Sequence, residues 1–164
     1  MEREHTHEYT LWVVVMAVSL HVLEEYTLNF VGWAEVALRV NVSWEIFHLV
    51  NAALMFFGIA CAMIGWRAPG LSLMMPAIIA INALFFHILL TLVQWRISPG
   101  TGTSIILFVP AAGWAYYGAY RDGVLTRRAV VVSALGGLLV TFYLSILLMI
   151  RLQYGRQFIF TGHG

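Results

Sequence analysis

The residues able to do chemistry in this chain are histidines and carboxylates set into apolar surroundings. His21, Glu24 and Glu25 lie inside a run of aliphatic residues, and their offsets of three and four place them on one side of a helix, stacked over a single turn. Glu45 and His48 form an E-x-x-H pair, the spacing by which helical di-metal carboxylate proteins bring one carboxylate and one imidazole to the same ion. The bland alternative for Glu45 is a solvated first-turn residue favoured by the helix dipole. Asn51 follows nearly a turn further on, and a third apolar run carries Asn82, His87, Thr91 and Gln94. Thr91 shares the His87 face, whereas Asn82, five residues earlier, lies roughly 140° away on a regular α-helix. Asn82 is therefore expected to bond a neighbouring helix unless it faces a central cavity. Asn51, Asn82 and Thr91 are the expected supporting residues around the histidines and glutamates.

The elements that must position these groups are membrane helices. Of 164 residues, 61% are hydrophobic and 10% charged, and mean hydropathy is +0.84. A soluble domain carries roughly 45–50% apolar and about 25% charged residues, so too little polar surface remains for a water-soluble globule. A spanning helix needs about 20 mostly apolar residues, and five stretches qualify, at residues 9–28, 43–66, 71–95, 103–120 and 129–151. Arg67-Ala68-Pro69-Gly70, Arg96-Ile97-Ser98-Pro99-Gly100 and Arg121-Asp122-Gly123 separate them as turns. The expectation is an all-α polytopic membrane protein, a compact five-helix transmembrane bundle forming one domain over residues 1–164. Residues 29–42 read as a short helical connector on the membrane surface. The acidic segment before the first span lacks the basic start of a signal peptide, so that helix is expected to be retained. Arginines on the N-terminal side number five (Arg3, Arg67, Arg121, Arg127, Arg128) against four (Arg39, Arg96, Arg151, Arg156), which favours a cytoplasmic N-terminus.

Net charge is +1 with no lysine, which excludes the basic footprint of a nucleic-acid binder. A single cysteine, Cys61, excludes a disulfide framework or thiolate zinc cluster. The last stretch sets Ser133, Gly137, Thr141 and Ser145 at intervals of four, a small-residue ridge for packing within the bundle or at a homo-oligomer seam. Trp12, Trp44, Trp66 and Trp95 read as interface anchors, and Tyr116, Tyr117 and Tyr120 as an aromatic belt. His5, His7 and His163 read as exposed terminal residues and receive no role.

Ionisable groups in hydrocarbon cost about 2.5–3.5 kcal/mol each even on a lenient scale, so they are functional candidates by default. The first and third spans run opposite to the second. Counted from the shared membrane face, His21 lies about 10 Å deep, His48 about 8 Å and His87 about 12 Å. Glu24, Glu25 and Glu45 lie slightly above them. Three carboxylates would leave one divalent ion at net −1 and two ions at +1, which favours a two-metal site of iron, zinc or manganese. A mononuclear zinc held by three histidines, with a glutamate as base, is the competitor.

His21-Val22-Leu23-Glu24-Glu25 at the end of a first membrane helix resembles the signature of the HXXEE family, small integral membrane proteins named for that motif. Asn51, Asn82, His87 and Ser98-Pro99-Gly100 agree with the resemblance, which covers roughly residues 9–120. It implies a membrane helix carrying the site and no particular reaction. The leading functional expectation is a membrane-embedded metalloenzyme, with His21, Glu24 and Glu25 catalytic and His21, Glu24, Glu25, Glu45, His48 and His87 as ligands. It would hydrolyse or oxidise a lipophilic substrate drawn from the surrounding lipid. A metal-free acid/base isomerase or cyclase of terpene-like lipids and a transporter of protons or metal ions are the alternatives. Against transport, the fourth and fifth stretches carry no carboxylate or histidine, so no polar path continues across.

Overall fold

A computed structural model describes residues 6–160, with side chains as far as residue 143. The described residues are all-helical, without strands. Six helices follow in order: α1, Tyr9–Thr27; α2, Phe30–Leu38; α3, Trp44–Ile64; α4, Pro69–Gln94; α5, residues 101–121; and α6, Arg127–Phe160. Among them α3 and α4 are long and apolar enough to cross a membrane, and α1 with α2 makes a third span if that pair, bent by 69°, counts as one. Five full spans are thus more than length and composition establish. The connector at 29–42 is helical as expected, and it is this element that raises the helix count to six.

Local chemistry explains the boundaries. Asn29 takes a left-handed conformation at φ 54° and its Oδ1 accepts the Gly32 N–H, so one residue both ends α1 and caps α2. Ser43 caps α3 through the Ile46 N–H, and Gly65, at φ 56°, terminates it. Two helices change winding part-way: Asn82–Ile88 in α4 and Ser104–Phe108 in α5 are π-helical, bonded i to i+5.

The core lies between α1, α4 and α5. Leu11, Val14 and Val18 are buried on α1 against Leu73, Met75 and Ile79 of α4 and a row of alanines, Ala111, Ala115 and Ala119, on α5. Small residues at intervals of four let the α5 backbone approach closely. The buried stripe of α1 continues through His21 and Glu25, so the core pattern itself delivers those two residues, and not Glu24, to the interior. On the small-residue ridge of α6, Ser133 and Gly137 are buried, and a Cβ at Gly137 would stand 2.8 Å from that of Ala77 in α4. That ridge packs within the chain; the Ser145 side chain lies outside the described residues.

At the end of the bundle away from His21, a polar lock corrects three expectations. His7 is paired rather than idle: its Nδ1 and backbone N–H lie 2.6 and 2.9 Å from the two Asp122 carboxylate oxygens. Trp66 is buried rather than an interface anchor, donating its indole N–H to Asp122 at 2.8 Å and its backbone N–H to Glu8 at 2.7 Å. Tyr116 leaves the aromatic belt to hydrogen-bond Ser133 at 2.8 Å. Trp95 stays fully exposed, as an anchor would.

Candidate metal centre

His21, Glu25 and His87 converge at one point beneath the ends of α1 and α4, each at most 7% exposed. One ligand-capable atom from each lies within 4.8 Å of the others. The Nε2 atoms of both imidazoles face the same Glu25 oxygen, each at 3.6 Å. The rings stand edge to face, centroids 4.7 Å apart, and Phe108 lies over His21 at 4.1 Å.

The opposite side of each imidazole is held by a hydroxyl. His21 Nδ1 lies 2.9 Å from Thr103 Oγ1, and the Thr103 hydroxyl donates its own proton to the Gly100 carbonyl. With that proton committed, Thr103 oxygen accepts from His21 Nδ1–H, which leaves the Nε2 lone pair turned toward Glu25. His87 Nδ1 lies 3.2 Å from Ser98 Oγ, which lies 2.9 Å from Thr101 Oγ1, itself 3.0 Å from Thr91 Oγ1. The His21 Nε2 lone pair and the Glu25 carboxylate oxygen then face one another in a buried space, with His87 Nε2 3.6 Å from the same oxygen, and lone pairs so arranged repel unless a cation or proton stands between them.

Gly100 closes the group. It sits at φ 91°, and a Cβ there would meet the Cε1 atoms of both His21 and His87 at 2.7 Å and Glu25 Cγ at 3.1 Å. Glu24 points elsewhere, its two oxygens accepting the Gly102 and Thr103 N–H groups at 3.2 and 2.7 Å. It caps the first turn of α5, where the helix dipole favours a carboxylate, and so anchors the residue that orients His21.

Glu45 and His48 do not join the site, a correction to the six-ligand expectation. Both are exposed at the start of α3, where His48 packs among Trp44, Tyr26 and Phe47. The inward face of α3 runs through Phe47, Val50, Asn51 and Leu54, and the E-x-x-H pair lies off that face. Glu24 is likewise a cap rather than a ligand. Asn82 departs from the expected interhelical bond: its Oδ1 is buried without a hydrogen-bond partner. Both Asn82 and His87 border one cavity, because the π-helical winding between them stacks residues five apart instead of turning them 140° away. Asn51 also borders this cavity while its amide N–H₂ donates to the Phe47 carbonyl. Thr91 takes its expected supporting role at one remove. Ser98, Thr101, Thr103 and Gly100 were not expected as site residues; the string Ser98-Pro99-Gly100 ahead of a helix was the signal available.

The cavity holds about 240 Å³. Glu25 and His87 form part of its wall; α2, α3 and α4 supply the rest, including Phe30, Trp33, Phe47 and Leu54. A helical bundle with two or three elements long and apolar enough to cross a membrane and a buried His₂Glu group beside an apolar cavity is the class the chain falls in. Residues 12–115 match the family described as "Protein of unknown function with HXXEE motif", and the chain belongs to that family. Neither curated proteins nor solved structures provide a match.

Proposed function

We propose that this protein is a membrane-embedded, metal-dependent enzyme whose single divalent ion is held by His21, Glu25 and His87 and acts on a lipophilic substrate in the adjoining cavity. The observation that carries this reading is the convergence of two imidazole Nε2 atoms on one carboxylate oxygen at 3.6 Å. That separation is too long for a hydrogen bond, and close to the spacing of about 3.4 Å between neighbouring ligands of a four-coordinate ion with bonds of roughly 2.0–2.2 Å. Hydroxyls on both Nδ1 atoms are the supporting partners that histidine ligands ordinarily have. One carboxylate with one divalent ion leaves +1, so one ion replaces the two expected from three carboxylates. Two histidines and one carboxylate suit catalytic zinc or non-haem iron.

Bound there, the ion would supply Lewis acidity and an activated water or oxygen species. The chain's own part is to hold the two rings by Thr103 and Ser98, shield them from solvent beneath Gly100, and align a lipophilic molecule along the apolar wall. Metal analysis of protein purified in mild detergent is expected to give about one transition-metal ion per chain, reduced severalfold or more in His21→Ala, His87→Ala and Glu25→Gln. Metal-free wild type from several preparations would overturn it. Glu25, flanked by both imidazoles, would then be the centre of a metal-free proton relay, the acid/base alternative.

A further inference from the structure

Of the helices that wall the cavity, α2 is the least tied to the rest of the chain. It contributes Phe30, Trp33, Ala34 and Leu38, while α3 and α4 contribute Asn51, Leu54 and His87 among others. The hydrogen bonds of α2 run within it and to its own flanks: Asn29 Oδ1 accepts the Gly32 N–H, the Asn29 carbonyl accepts the Trp33 N–H, and the Ala34 carbonyl accepts the Val40 N–H. Among the described residues, no hydrogen bond or ion pair joins α2 to another helix. By contrast, α1 is pinned to α5 at both ends, through His7 to Asp122 and through Glu24 to Thr103. What holds α2 is apolar. Ala34, the one buried residue of its nine, packs with Val42 and Phe47 in a cluster separate from the main core, and the Phe30 ring lies 5.8 Å from that of Phe47. Helices shorter than about 12–15 residues are marginal alone, and elements with so few buried contacts open most readily.

Both ends of α2 are hinge points. Asn29 and Arg39 stand at φ 54° and 56°, so helical winding breaks at a single residue on either side, and α2 leaves α1 at an angle of 69°. The seated position also carries a penalty. The Trp33 indole N–H is buried without a hydrogen-bond partner, and an unmet buried donor costs enough to change an equilibrium by about fivefold or more. The ordinary place of tryptophan in a membrane protein is the interface, where its polar edge reaches the head-group level. Lifting α2 satisfies the indole, whereas seating it regains the contacts of Ala34 and Phe30, so two positions are balanced against each other. We propose that α2 is a gate, pivoting at Asn29 and Arg39, that lifts to admit lipophilic molecules to the cavity beside Glu25 and His87 and reseats behind them. The use of that cavity in a reaction rests on the metal-site reading above, but gating itself needs no metal, so the two can fail separately.

The test uses full-length Ala34→Cys protein in phospholipid nanodiscs, both as isolated and after stripping with a chelator. The introduced thiol is covered while α2 is seated, and Cys61, 3% exposed in the main core, reports global opening in the same molecule. With N-ethylmaleimide and peptide mass spectrometry, the introduced thiol is expected to react about tenfold faster than Cys61 or more, in both preparations. Replacing Trp33 by benzothienylalanine through amber suppression keeps the ring shape and removes only the N–H, and should slow that reaction about fivefold or more; a purely packing role for Trp33 predicts no change. Asn29→Ala, which removes the α2 cap and leaves alanine at φ 54°, should speed it about fivefold or more. Circular dichroism checks that each variant folds, and amide hydrogen exchange of α2 against α3, with and without benzothienylalanine, repeats the comparison in the absence of the cysteine. A thiol that reacts no faster than Cys61, or a benzothienylalanine protein that opens as readily as wild type, would overturn the gate. Labelling that appears only after chelation would make opening a consequence of metal loss, also against the proposal. Metal-free wild type that opens in the expected pattern would sink the metal reading and leave the gate standing.

Discussion

Gly100→Ala tests whether the site geometry is what holds the metal. The added methyl would meet both imidazole Cε1 atoms at 2.7 Å, where ordinary contact begins at 3.4 Å, so the rings or the backbone must yield by about 0.7 Å in total. The rings have little freedom, being fixed behind by Thr103 and Ser98. Metal sites are defined to within about 0.2 Å, so the displacement exceeds what a bound ion tolerates. A non-glycine residue at φ 91° adds about 1–3 kcal/mol of backbone strain. The expected outcome is metal affinity at least tenfold lower, by competition with a chromophoric chelator, and a Tm in detergent lower by roughly 2–10 °C. Gly113→Ala is the control, since nothing lies within 4 Å of its Cβ position; it should keep the metal and gain roughly 0.5–1 kcal/mol from helix propensity. A Gly100→Ala protein with wild-type metal affinity and Tm would refute the placement of the two histidines at one ion.

Glu25→Gln should lose the metal, whereas Glu24→Gln should retain most of it while losing about 1 kcal/mol of stability from the α5 cap; metal analysis and thermal melts separate them. His48→Ala and Glu45→Gln should leave metal content unchanged by the same analysis, and loss in either would restore the larger ligand set. Burial favours the neutral Asp122 carboxyl, but the hydrogen bonds from His7 and Trp66 outweigh it and hold the group below its ordinary value. Its folded-state pKa being depressed, the stability it contributes is present above the unfolded value of about 3.9 and is lost as pH falls through the folded one. Melts at pH 7 and in steps below pH 4 should show that loss in wild type and its reduction in Asp122→Asn, which at pH 7 should cost about 1–3 kcal/mol.

The shared level of His21 and His87 was legible in the sequence because rise per residue is nearly constant along any helix. Azimuth was legible only where the buried stripe could be followed. On α1, Leu11, Val14 and Val18 mark that stripe, and extending it selects His21 and Glu25 over Glu24. On α3, almost every residue is apolar, so no contrast marks the inward face, and Glu45 and His48 could not be placed on one side or the other. The lock at His7 was hidden for another reason: its partners, Trp66 and Asp122, are distant in sequence, and only packing of α1, α3 and α5 brings them together.

Asn82 and His87 carry the same argument one step further. A regular α-helix would turn them far apart and leave one of the two outside the cavity. The i to i+5 bonding of Asn82–Ile88 puts both on one wall, at the cost of less favourable backbone geometry, and such segments recur where a helix carries function. The second π-helical turn, Ser104–Phe108, follows directly on Thr103 and ends at Phe108, the residue stacked over His21. Both departures from α-helical winding therefore border the same group of three residues. Helix packing alone would not need either one there; positioning an imidazole and an aromatic ring around a single point does.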